Sequence, residues 1–154
     1  GQLVFLAGGD EALFAEATED FDRMGKASFY LGSPGDAAKF KLVVNMIMGT
    51  MMSALGEGIS LCKAAELNPV ALIEVLDLGA MANPMFKLKG PKILQDDHAP
   101  NFPLRHAHKD MKLAIKEAER IACTLPVTAA ATAQYDSAME AGFADDDFSA
   151  VTKV

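Results

Sequence analysis

Two apolar runs of strand type frame an amphipathic stretch at the start of the chain. The first is Gln2-Leu3-Val4-Phe5-Leu6, and Ser28-Phe29-Tyr30-Leu31 is the second. Between them Gly8-Gly9-Asp10 reads as a turn, and Asp10 is placed to cap a helix whose apolar residues Leu13, Phe14, Ala17 and Phe21 recur at helical spacing. Two short strands and one helix form a parallel or mixed sheet edge and lack the buried area to stand as a domain alone.

From Pro34 to Ala65 the pattern changes to one long helix. Its apolar residues, from Leu42, Val43 and Val44 to Ile59 and Leu61, point in nearly every direction around the axis. That predicts burial on all sides, as for the central post of a helical bundle. Gly49, Gly56 and Gly58 on the same element predict close approach by neighbouring helices. A membrane span is the competing explanation, but Asn45, Ser53 and Glu57 interrupt a run that falls short of the roughly 20 apolar residues a bilayer requires. No basic flank anchors it, and no membrane association is expected.

The remainder is helical by pattern. Asn68-Pro69 starts a helix that Gly79 ends, Asn83-Pro84 starts a short one ending near Gly90-Pro91, and Pro103 to about Cys123 carries an apolar face through Leu104, Met111 and Ala114. Pro126 opens another helix to Gly142, and Asp145-Asp146-Asp147 caps a final one. The fold class is therefore mainly α, with a β-α-β segment in front.

Chemistry enters at Lys41 and Asn45. At positions i and i+4 of a helix an ammonium and an amide share one face. Apolar neighbours such as Val44 and Met48 predict a partly desolvated Lys41, which would make it a proton donor near neutral pH. The plain alternative is a snorkelling lysine beside a satisfied core asparagine. Lys109-Asp110 reads in the same plain way as a charged pair on a solvated helix face, and Phe86 as core.

Composition removes several function classes. A net charge of -7 over 154 residues argues against a nucleic-acid surface, and the local cluster Lys87, Lys89, Lys92 is too small to reverse that. Cys62 and Cys123 lie outside any C-x-x-C spacing, which suits a reducing, intracellular compartment. His98, His106 and His108 have no metal-ligand spacing and read as surface or supporting residues, so no metal is expected.

The ordered set Gly35, Ala37, Lys41 and Asn45 resembles the G-x-G-x-x-x-K-x-x-x-N signature of the β-hydroxyacid (3-hydroxyisobutyrate-type) dehydrogenase family, with Ala37 in place of its second glycine. Leu78 to Lys87, Phe102-Pro103-Leu104, Lys109-Asp110-Met111 and Asp147 to Val151 are similar to its glyoxylate and succinic semialdehyde reductase branch. The resemblance implies a 6-phosphogluconate dehydrogenase-like helical domain over 32–154, for substrate binding and oligomerisation, preceded at 1–31 by the end of a Rossmann domain. The G-x-G-x-x-G fingerprint that opens such a domain is absent from the chain, which alone is expected to be inactive.

The resemblance further implies reduction of a small aldehyde acid, glyoxylate or succinic semialdehyde, with NADPH as cofactor and NADH as the other option. Lys41 is then the general acid, Asn45 and Gly35 bind substrate, and Lys109, Phe86 and Asp110 bind cofactor. A homo-oligomer in the cytoplasm, or an organelle, is expected. Two alternatives stay open: a 3-hydroxyisobutyrate dehydrogenase, and a non-catalytic interaction module like the nuclear, nucleosome-associated member of this fold that lacks the lysine.

Overall fold

A computed structural model describes residues 1–154. In chain order it contains β1 (Leu3–Ala7), α1 (Glu11–Met24), β2 (Gly25–Tyr30), α2 (Asp36–Ala64), α3 (Pro69–Leu78), α4 (Pro84–Leu94), α5 (Leu104–Arg120), α6 (Pro126–Glu140) and a closing 3-10 helix, Phe148–Lys153. The fold class is mainly α, as the periodicity predicts. Packing divides the chain inside α2, into a unit Gly1–Asn45 and a larger unit Met46–Val154.

In the first unit β1 and β2 pair in parallel, with Val4 opposite Ala27 and Ala7 opposite Tyr30. The β-α-β connection explains the pairing, since α1 carries the chain back to the same end of the sheet. Asp10 caps α1 as expected, its carboxylate accepting from the Leu13 N–H at 2.9 Å. Phe5, Phe14, Phe21 and Tyr30 form one aromatic cluster between helix and strands, with Phe5 and Phe21 stacked at 4.8 Å. Beyond the strands the parallel path continues into the loops: Leu31 N–H donates to Ala7 and Gly9 N–H to Gly32, both at 2.8 Å. Gly8 permits this approach, because a Cβ there would lie 2.7 Å from the Ser33 carbonyl oxygen.

The second unit is a helical bundle. Met52, Leu55 and Ile59 of α2 pack with Leu104, Ala107 and Met111 of α5, Ala131, Tyr135 and Ala138 of α6, and the closing helix. Gly49 and Gly56 face Met111 and Thr152 so closely that neither has room for a Cβ, whereas Gly58 faces open space. Two of the three glycines thus mark close contacts, as the sequence predicts.

Two expectations need correction. The first is all-round burial of α2. Its earliest buried position is Gly49, and Phe40, Val43, Val44 and Ile47 remain 47–50% exposed. By length and composition α2 could cross a bilayer, but its second half is built into the bundle core. The second is the end of α4, which runs through Gly90-Pro91 to Leu94. Gly90 is held against Ile73, 2.8 Å from where a Cβ would stand, so packing carries the helix one turn past Pro91 despite the lost N–H and the crowding of its ring against the preceding turn. The final helix forms as expected, as a 3-10 helix capped by Asp147, whose carboxylate accepts from Ser149 N–H at 3.1 Å.

Candidate active site

The first turn of α2 is set by backbone geometry. Gly35 has φ +97°, a left-handed conformation that favours glycine, and Asp36 follows as the first helical residue. The Asp36 carboxylate accepts from Ser33 N–H at 3.0 Å and pairs with Lys39 at 3.0 Å. Lys39 beside it, together with the Ser33 N–H, holds the Asp36 carboxyl below its ordinary range. Lys39 is thus committed to the helix start, whereas Lys41, two residues further on, is in none of the ion pairs. Ala37 is half-buried in the same turn, and its backbone N–H lies near Gly8, 3.4 Å from where a Cβ at Gly8 would stand.

Lys41 and Asn45 lie one helical turn apart on α2, as the spacing requires. Lys41 is exposed and Asn45 half-buried and partnered. The expectation that Val44 and Met48 desolvate Lys41 is not met within this chain, because Val44 itself is 47% exposed. What the chain presents is an accessible ammonium on an apolar, solvent-facing half-helix, with Gly35, Lys41 and Asn45 all in the first unit.

Phe86, Lys109 and Asp110 belong to the second unit. Lys109 and Asp110 form an ion pair at 3.0 Å, but only the lysine is on the surface; Asp110 is buried. The solvated-face reading therefore holds for one partner only. Asp110 follows Ala107 by three residues and precedes Ala114 by four, so helical spacing places it on the core side of α5. A buried carboxylate holding an exposed ammonium is a positioning arrangement for that ammonium. Phe86 is 6% exposed within the core, its N–H bonded to the Asn83 cap at 2.9 Å, so it supports the α4 start from beneath.

Sequence reasoning missed the strongest polar links of the second unit. Lys87, Lys89 and Lys92 are not a cluster: they pair separately with Asp77, Asp147 and Asp97. The Lys89 ammonium donates to Asp147 at 2.7 Å and to the Asn101 amide oxygen at 3.1 Å. Burial alone would raise the Asp147 carboxyl. Lys89 and the N–H groups of Asn101, Ser149 and Phe102 outweigh that and hold it below its ordinary range. The signal was present, since Lys89 lies three residues after Phe86 and four before Ile93, on the buried face of α4.

The histidines also separate. His108 bonds Asp136 at 2.6 Å. His98, expected as a surface or supporting residue, is buried and supporting, with Nδ1 2.9 Å from Ser149 Oγ and Nε2 3.4 Å from Asp96. The hydroxyl-imidazole-carboxylate order suggests a nucleophilic triad, but Ser149 is 1% exposed and unreachable, so the contact fastens the closing helix.

Compared with solved structures, the fold is that of the 3-hydroxyisobutyrate dehydrogenases. The Salmonella typhimurium enzyme superposes with a TM-score of 0.89 at 24% identity, over 96% of this chain and 52% of that one. The Mycobacterium tuberculosis enzyme, solved with L-serine, gives 0.86 at 25%, over 99% and 54%. Residues 35–154 match the family described as NAD-binding of NADP-dependent 3-hydroxyisobutyrate dehydrogenase, and the chain belongs to that family.

Among relatives it is 51% identical to Arabidopsis thaliana glyoxylate/succinic semialdehyde reductase 1, over 98% of this chain and 52% of the relative. It is 47% identical to the chloroplastic reductase 2 of the same plant, over 98% and 42%. It is 37% identical to the human cytokine-like nuclear factor N-PAC, over 98% and 27%. The chain thus spans about half the length, or less, of the relatives it matches.

Proposed function

We propose that this chain is the helical half of an NADPH-dependent reductase of small aldehyde acids, taking glyoxylate to glycolate and succinic semialdehyde to 4-hydroxybutyrate. The carrying observation is 51% identity, over 98% of the chain, to a protein named for both substrates, in a sequence that keeps Lys41 one turn before Asn45. The family description, NAD-binding over 35–154, supports a nicotinamide cofactor and contacts to it from the helical part. The residues suit that cofactor: Lys109 offers an exposed ammonium, held at 3.0 Å by a buried carboxylate, for a phosphate or amide oxygen.

The bound nicotinamide supplies the hydride. Lys41 gives its proton to the aldehyde oxygen as negative charge develops there, and regains a proton from solvent. Asn45 hydrogen-bonds the substrate and keeps it on the lysine face. Gly35, in the left-handed region, leaves room for the substrate carboxylate beside the first turn of α2. The preference for NADPH rests on the family's description as NADP-dependent.

The same reading makes the protein a homo-oligomer, because Phe40, Val43, Val44 and Ile47 form an apolar surface about half exposed in a single chain. It places the enzyme in a reducing compartment, cytoplasm or organelle, where Cys62 and Cys123 stay free thiols. A second reading, a non-catalytic interaction module, draws on the 37% identity to N-PAC. Assaying the full-length protein with NADPH and each aldehyde separates them. Turnover supports the reductase, and its absence in a protein that binds histone or nucleosome supports the module.

A further inference from the structure

A cavity of about 280 Å³ lies where the end of α2, the α4–α5 connection and the closing 3-10 helix meet. Ser60 and Lys63 of α2, Asp96 and His98 of the connection, and Thr152 and Lys153 of the closing helix line it. None of these residues takes part in the proposed reduction.

The Asp96 carboxylate is the informative group. It is the second residue after α4, following the Gln95 cap, at φ 55°, where its N–H bonds the Ile93 carbonyl and the next N–H bonds that of Lys92. That left-handed helix-ending position is usually glycine. Here it turns a carboxylate toward two donors from different places in the chain. Lys153 Nζ is 3.1 Å and His98 Nε2 is 3.4 Å from the same Asp96 oxygen. Lys153 first, and His98 less, hold the Asp96 carboxyl below its ordinary range. The helix ends account for lysines at Lys63 and Lys153, which complement exposed carbonyls. They do not account for an acid drawn in between the donors, with its own side chain 75% exposed.

We propose that this cavity binds a small carboxylate monoanion, and that Asp96 occupies the place of the ligand's carboxylate when it is absent. Two ammonium groups, Lys63 and Lys153, line the cavity with the one carboxylate of Asp96, and Asp146 and Asp147 also act on His98, so the lining offers cationic donors but little net charge, which suits a small monoanion and not a polyanion. On binding, Asp96 swings outward and the ligand takes Lys153 and His98, while Lys63 and the Ser60 hydroxyl close the outer side. The volume equals about nine water-sized groups, enough for a carboxylate with a two- or three-carbon chain.

Acetate is the probe, followed by NMR amide shifts at Ser60, Lys63, His98 and Thr152 of the isotope-labelled protein, with chloride at equal ionic strength as control. Saturable shifts with a dissociation constant on the order of 10 mM are expected. The decisive arm is Asp96→Asn, which tolerates the same backbone conformation and removes the internal competitor. It should tighten acetate binding about fivefold, while Lys63→Ala weakens it by about as much. Lys41→Ala should leave these shifts unchanged, which separates this cavity from the proposed active site. Equal shifts in chloride, or an Asp96→Asn variant that binds acetate no more tightly than the wild type, would overturn the proposal.

Discussion

The Lys89 ammonium meets the Asp147 carboxylate at 2.7 Å across 58 residues of sequence, with both side chains at most 5% exposed. Asp147 also accepts from the N–H groups of Asn101, Phe102 and Ser149, so one carboxylate fastens the α4–α5 connection and the closing helix to α4. Phe148 adds its ring 5.3 Å from the same ammonium. A link of this kind costs more to break on one side than to omit altogether.

Lys89→Met should therefore destabilise the protein by about 3 to 5 kcal/mol, because it leaves Asp147 charged, buried and without its cation. The double variant Lys89→Met/Asp147→Asn should recover part of that loss, since the amide still accepts from the loop N–H groups without a buried charge. Urea denaturation of the two single variants and the double gives the coupling directly. Additive losses would mean that the two side chains act independently.

Acid should weaken the fold in two stages. Burial first, and Lys153 next, lower the His98 imidazole below its ordinary 6.5, against the opposing pull of Asp96, Asp146 and Asp147. As pH falls below 6.5 the unfolded chain therefore takes a proton that the folded chain does not, and stability declines until the folded value is passed. Asp147, held below its ordinary 3.8, adds a second decline of the same sign starting near that pH. Melting temperatures over a pH series check this, and His98→Gln should abolish the first decline while keeping the second.

Two glycines of α2 should respond oppositely to alanine. Gly49→Ala pushes a methyl into Met111 in the core and should cost about 1 to 3 kcal/mol. Gly58→Ala meets nothing within 4 Å and should stabilise the helix by about 0.5 to 1 kcal/mol. Thermal melts of both variants decide it, and equal losses would contradict the packing described for Gly49.

Lys109 should affect cofactor binding more than chemistry. Lys109→Ala in the full-length enzyme is expected to raise the NADPH dissociation constant about tenfold to hundredfold, with turnover at saturating cofactor changed less. Fluorescence titration of NADPH reads this. An unchanged constant would return Lys109 to an ordinary ion pair with Asp110.

Local chemistry made much of the fold legible. Asp10, Asn68 and Asn83 each cap the helix their sequence announces, because an N-cap acts over two or three residues. The left-handed helix ends at Glu66, Asp96 and Ala122 carry no glycine and gave no such notice. Lys89 and Asp110 sit at helical spacing on buried faces, yet their charge outweighed their periodicity in the reading. Asp147 and Ser149, which Lys89 and His98 meet, lie more than fifty residues away from them, and only the folded chain brings them together. Within the candidate site, the turn spacing of Lys41 and Asn45 was legible, whereas the exposure of that half of α2 was not. An apolar pattern shows that a face is to be covered without showing what covers it.

The central claim is that Lys41 delivers the proton. Steady-state reduction of glyoxylate by full-length Lys41→Ala, at saturating NADPH, tests it most directly. The account predicts a kcat lower by about 10²-fold or more, with little change in cofactor affinity and poor rescue by Lys41→Arg, whose guanidinium does not release a proton near neutral pH. Turnover near that of the wild type would contradict it.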